Sequence, residues 1–149
     1  MNSVLKNNQS DMKLKLLTLW IFVFFNIIFR DLHEFGRPGL LQEIMTGVVN
    51  GVQITESLML VGGFMIEIPL LMLPLTALLK FKANRLANLC IGALMIPLMI
   101  FNYNRPDLDD IFFLMFEIAA LLLIIWYAWG WTNDSESLSQ NASITKRNI

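Results

Sequence analysis

The chain has 149 residues, 56% of them hydrophobic and 15% charged, with a mean hydropathy of +0.58. Soluble domains average roughly 25% charged residues, so this composition excludes an ordinary soluble globular domain and suits about four membrane spans of ~20 residues each. A net charge of −1 offers no basic field to nucleic acid.

Residues 1–13 are polar and form a short N-terminal segment ahead of the first span. The uncharged run LLTLWIFVFFNIIF (16–29) would cover only about 21 Å as a helix, short of a ~30 Å hydrocarbon core. Lys13 and Lys15 at one end and Arg30 at the other can snorkel and lengthen it to about 14–35. No small-x-small cleavage site follows, so the run reads as a retained span rather than a signal peptide. In the loop that follows, Pro38 can open a helix. Leu40, Leu41, Ile44, Met45, Val48 and Val49 fall on one of its faces, and Asn50-Gly51 supplies a left-handed stop. An amphipathic surface helix over about 38–50 is therefore expected, packed as a cap or poised as a lid.

Three more spans follow, at about 56–79, 85–104 and 109–131, and residues 132–149 read as a disordered tail. The fold class is thus an all-α, integral membrane four-helix bundle with a short amphipathic helix in its first outer loop. Eight lysines and arginines lie on the side of the termini and the 80–85 turn, against Arg30, Arg37 and Arg105 on the other. This asymmetry places both termini in the cytoplasm of a multi-pass cell-membrane protein. Trp126, Tyr127, Trp129 and Trp131 would form an interfacial belt at the inner end of the fourth span.

Polar side chains within spans are expensive and therefore informative. At 100° per residue, Asn26, Arg30 and His33 lie within about 60° of one another on the first span. Asn88, Gly92, Met95, Met99 and Asn102 share a face of the third. Glu67 and Glu117 are the interior acids of the second and fourth. From the helical rise, Arg30 and Glu117 can share one layer, and Asn26 and Glu67 another. Glu67 is accordingly expected to face the bundle interior beside Asn26, and Glu117 to pair with Arg30. Pro69, Pro74 and Pro97 interrupt backbone bonding within their spans.

The single cysteine, Cys90, and the single histidine, His33, exclude an internal disulfide, a cysteine zinc cluster and bis-histidine haem ligation within one chain. No cofactor and no metal site is expected, and no catalytic motif of the HExxH or Ser-His-Asp type is present. The stretches QEIMTGVVNGVQIT (42–55), EIP (67–69), KFKANRLAN (80–88) and IIWYAWGW (124–131) resemble a family of small, uncharacterised four-span bacterial membrane proteins, over residues 14–131. In layout the chain is more distantly similar to DoxX-like four-helix membrane proteins. Some of those are linked to redox enzymes, but this chain has no cysteine pair or haem-ligand pair for such a role.

The leading expectation is binding or movement of a small molecule or proton through an intramembrane polar site made of Glu67, Glu117, Arg30, Asn26 and His33. The alternatives are a non-catalytic membrane subunit and a membrane enzyme acting on a lipid-like substrate. The expected partners are the lipid bilayer and a second copy or another membrane protein, with no nucleic acid.

Overall fold

A computed structural model describes residues 2–102 and 108–132. The chain folds as α1 (Asn2–Glu34), α2 (Leu40–Thr46), a two-stranded hairpin of β1 (Val48–Val49) and β2 (Val52–Gln53), α3 (Glu56–Leu78), α4 (Phe81–Asn102) and α5 (Leu108–Gly130). Four of these helices are long and apolar enough to cross a membrane, as the composition requires. The expected tail at 132–149 lies outside the described residues beyond Thr132.

α1 packs along α3 and α5, and α4 packs along α5, while α3 and α4 touch only lightly. One end of the bundle carries Lys13, Lys15, Lys80, Lys82 and Arg85 and is called here the basic end. The other carries α2 and the hairpin and is called the loop end. Trp20, Val23, Ile27, Met72, Met95, Met99, Leu121 and Ile124 fill the core between them. Asn88, Gly92, Met95 and Met99 are all buried, so the face read on the third span is the one that packs. A Cβ on Gly92 would lie 3.1 Å from Ile125 Cγ1, and the missing side chain is what lets α5 approach α4 there.

α1 begins well before the first apolar run and absorbs the polar segment expected at 1–13. The extension is held from outside the helix. Lys13 Nζ donates to the carbonyl oxygens of Ala77 at 3.0 Å and Leu79 at 2.8 Å, at the end of α3. The last carbonyls of a helix have no partner within it and carry partial negative charge, so an ammonium suits them. Arg85 does the same for α5, donating from Nε to Ala128 O at 3.1 Å and from Nη2 to Trp129 O at 3.0 Å. Trp126 and Trp129 are exposed at this end, as an interfacial belt requires, whereas Trp131 is buried edge-on against Phe81, with ring centroids 5.2 Å apart.

The helix expected at 38–50 is shorter. α2 ends at Thr46 because Gly47 takes a left-handed conformation (φ 76°) and its N–H caps the carbonyls of Glu43 and Ile44. Val48 and Val49, expected on the helix face, lie in β1 instead. Asn50 (φ 51°) and Gly51 (φ 79°) form the reversal, with both turn residues at positive φ, as a tight hairpin matching strand twist requires. The Asn50-Gly51 pair is therefore a hairpin turn and not a helix stop. Of the expected apolar face only Leu40 is buried, and Met45 is 88% exposed. Arg37 ties this cap together, with Nε 3.1 Å from Glu34 and Nη1 donating to Asn50 Oδ1 at 3.1 Å.

Candidate functional site

Two polar layers cross the apolar core. Nearer the loop end, Arg30 Nη1 donates to both carboxylate oxygens of Glu117, at 3.2 Å and 3.1 Å. Glu117 is fully buried and the Arg30 side chain is 14% exposed. Helix geometry explains how they meet. Side chains lean toward the N-terminus of their own helix. α1 and α5 run in opposite directions, so Arg30 leans into the bundle while Glu117 leans back toward the loop end. The Arg30 Nε and Nη2 groups also reach Asp31 Oδ1, at 3.4 Å and 3.3 Å. Beside this layer a cavity of about 130 Å³ is lined by Arg30, Asp31, Gly62, Met65 and Met99, among others.

Nearer the basic end, Trp20 Nε1 donates to Asn88 Oδ1 at 2.7 Å. Asn88 Nδ2 donates to Asn84 Oδ1 at 2.7 Å and to Asn84 O at 2.9 Å. Asn84 Nδ2 donates in turn to Thr76 O at 2.6 Å, one of the carbonyls left over at the end of α3. This chain joins α1, α4 and α3 through groups that are all buried. Neither Trp20 nor Asn84 was singled out from the sequence. The available signal was the i, i+4 pair of asparagines in an otherwise apolar span, which places both amides on one helix face.

Glu67 does not join either layer. It is exposed on α3 and, contrary to expectation, faces away from the bundle. The reason lies in the helix register: Met72, Thr76 and Pro69 turn inward, and at 100° per residue Glu67 is then on the opposite side. The expected meeting of Glu67 with Asn26 is absent for the same reason. Asn26 faces the other side of α1, toward α5.

There, Asn26 lines a groove of about 870 Å³ between α1 and α5, together with Phe22, Phe25, Phe29, Phe112, Phe113, Phe116, Leu32 and His33. The Asn26 side chain makes no hydrogen bond within the described residues. His33 stands at the loop end of the groove, its ring 6.0 Å from Phe113 and its Nε2 3.5 Å from Asp109 Oδ2. From His33 the groove continues into a crevice of about 460 Å³ lined by Glu34, Arg37 and Asp109. Of the five residues expected in one site, the fold thus divides four between two faces of α1: Arg30 with Glu117 inside, and Asn26 with His33 on the groove.

No group of three or more histidine, cysteine, aspartate or glutamate side chains suited to a metal occurs among the described residues. A family model described as a family of unknown function (DUF6326) matches residues 4–138. The chain belongs to that family. The match runs through all four long helices and so covers both polar layers and the groove. Neither a curated protein nor a solved structure matches the chain.

Proposed function

We propose that this family member is a membrane protein that binds an amphipathic small molecule in the groove between α1 and α5. The apolar part lies among the six phenylalanines, and the polar head lies against Asn26 and His33 and reaches the crevice of Glu34, Arg37 and Asp109. The observation that carries this reading is the Asn26 amide, which lines an aromatic groove without a hydrogen-bond partner among the described residues. An amide in hydrocarbon loses hydrogen bonds to water and regains them only from a neighbour or a ligand. Ligand sites are typically apolar concavities of roughly 300–1,000 Å³ with a few placed polar groups, and the groove is of that size and character. Arg30 and Glu117 act as its frame by fixing α1 against α5.

The test uses a fatty acid carrying a diazirine on its chain, photolysed with the purified protein in detergent. Labelling is expected to concentrate in residues 22–33 and 112–116, and Asn26→Leu is expected to reduce it at least threefold. Labelling spread evenly over the exposed face of α3 would remove the basis for a site.

The reading includes a cell-membrane location of bacterial inner-membrane type, a DoxX-like layout, and both termini in the cytoplasm. Lys13, Lys15, Lys80, Lys82 and Arg85 gather at the end of the bundle that holds the N-terminal part of α1, and such clusters stay on the cytoplasmic side. With Cys90 replaced by alanine, cysteines introduced at Asn8 and Met45 are expected to differ in intact cells. Met45→Cys reacts with a membrane-impermeant maleimide and Asn8→Cys does not; the reverse pattern inverts the topology.

A further inference from the structure

We propose that the exposed face of α3 docks a membrane helix of another protein that carries an arginine or lysine near the centre of its span, with Glu67 as the receiving group. This inference is independent of the groove. Glu67 is the central residue of α3, eleven residues from Glu56 and eleven from Leu78, about 16 Å from either end. No position on this helix lies deeper, so its carboxyl cannot snorkel to water as a residue near a helix end does. Its side chain is exposed and makes no hydrogen bond or ion pair within the described residues. An acid at the centre of a span facing hydrocarbon is costly, and such residues ordinarily meet a partner.

The described residues do not supply one. Met72, Thr76 and Pro69 hold the opposite side of α3 in the bundle, so rotating Glu67 inward would turn them out. Around Glu67 the surface is apolar, with Leu60, Phe64 and Leu71 exposed. One turn away on the same face, Gly63 has nothing within 4 Å of where a Cβ would be. A neighbouring backbone can therefore come close beside the acid, as small residues permit between membrane helices.

Charge complementarity selects the occupant. Among the described residues the basic side chains of this chain lie at its two ends, except Arg30, which is nearly buried and engaged by Glu117 and Asp31. A second copy placed face to face would set acid against acid. A guanidinium or ammonium at mid-span on a different chain provides both the opposite charge and the donors that the carboxyl lacks.

The experiment places the full chain, with Cys90→Ala and a donor dye on Thr132→Cys, in phosphatidylcholine vesicles at low protein density. The probe is an acceptor-labelled leucine–alanine helix with one central arginine, and its twin has leucine there. Energy transfer is expected to show at least tenfold tighter association of the arginine helix than of the leucine helix. Moving the arginine two turns toward the peptide end, or changing Glu67→Leu, is expected to abolish the preference. Equal binding of the two peptides, or a preference that survives Glu67→Leu, overturns the proposal. So does energy transfer between donor- and acceptor-labelled copies of the chain alone that Glu67→Leu removes, because a second copy is then the occupant. Thermal melts of Glu67→Leu are expected to match those of the parent; a loss of stability would give Glu67 a role within the bundle and refute the docking role.

Discussion

Replacing Arg30 by leucine is expected to destabilise the bundle by about 3–5 kcal/mol, the cost of leaving one partner of a buried pair behind. Glu117 is fully buried and loses both hydrogen bonds from Arg30 Nη1. The converse change, Glu117→Leu, is expected to cost less, about 2–3 kcal/mol, because Arg30 is 14% exposed and retains Asp31. The double replacement removes both charges and is expected to return to within about 1–2 kcal/mol of the parent, as apolar replacements of buried pairs do elsewhere. Thermal or denaturant unfolding in detergent, read as a double-mutant cycle, measures the coupling. Single changes that simply add would show that the pair holds nothing together. The effect far exceeds the ~0.6–2 kcal/mol of an ordinary interhelical hydrogen bond in a membrane, because here a charge is stranded.

Asn88→Leu is expected to cost about 2–4 kcal/mol, at the upper end of what lost hydrogen bonds produce, since two buried groups are orphaned at once. Trp20 Nε1 loses its acceptor and Asn84 Oδ1 loses its donor. Trp20→Phe alone strands only the Asn88 carbonyl oxygen and is expected to cost less. Combining Trp20→Phe with Asn88→Leu is expected to recover part of the loss, because the indole N–H is no longer there to be left unpaired. A double variant that is the sum of its parts would mean that the 2.7 Å contact contributes little to stability.

The number of long helices and the Arg30–Glu117 pair were legible in the sequence. Both follow from the membrane: uncharged runs of span length have few alternatives, and a buried acid and a buried base at compatible depth have strong reason to meet. Rotation of α3 was not legible. Its apolar residues surround the helix almost evenly, so Glu67 looked like the natural inward marker, and only packing of Met72, Pro69 and Thr76 against the neighbours decides the register. The groove was equally hidden, because it needs Phe22, Phe25 and Phe29 of α1 beside Phe112 and Phe116 of α5, residues about ninety positions apart. At the loop end the i, i+4 recurrence of apolar residues fitted a helix up to Val49. Two glycines and Asn50 at positive φ overrode that pattern, and such backbone conformations are local choices that periodicity does not register.

The contacts that tie Lys13, Trp20 and Arg30 of α1 to other helices reach far along the chain. Lys13 is met by Ala77 and Leu79, Trp20 by Asn88, and Arg30 by Glu117, separations of 64, 66, 68 and 87 residues. During synthesis the first span therefore enters the bilayer with its indole and guanidinium lacking these partners, and they arrive one helix at a time. The guanidinium is served last, when α5 emerges. A nascent chain halted after α4 holds Arg30 against Asp31 of the same helix but lacks Glu117, the acid that receives it inside the bundle. Arrival of α5, which packs on both α1 and α4, closes the ring of helices and completes that pair in one step.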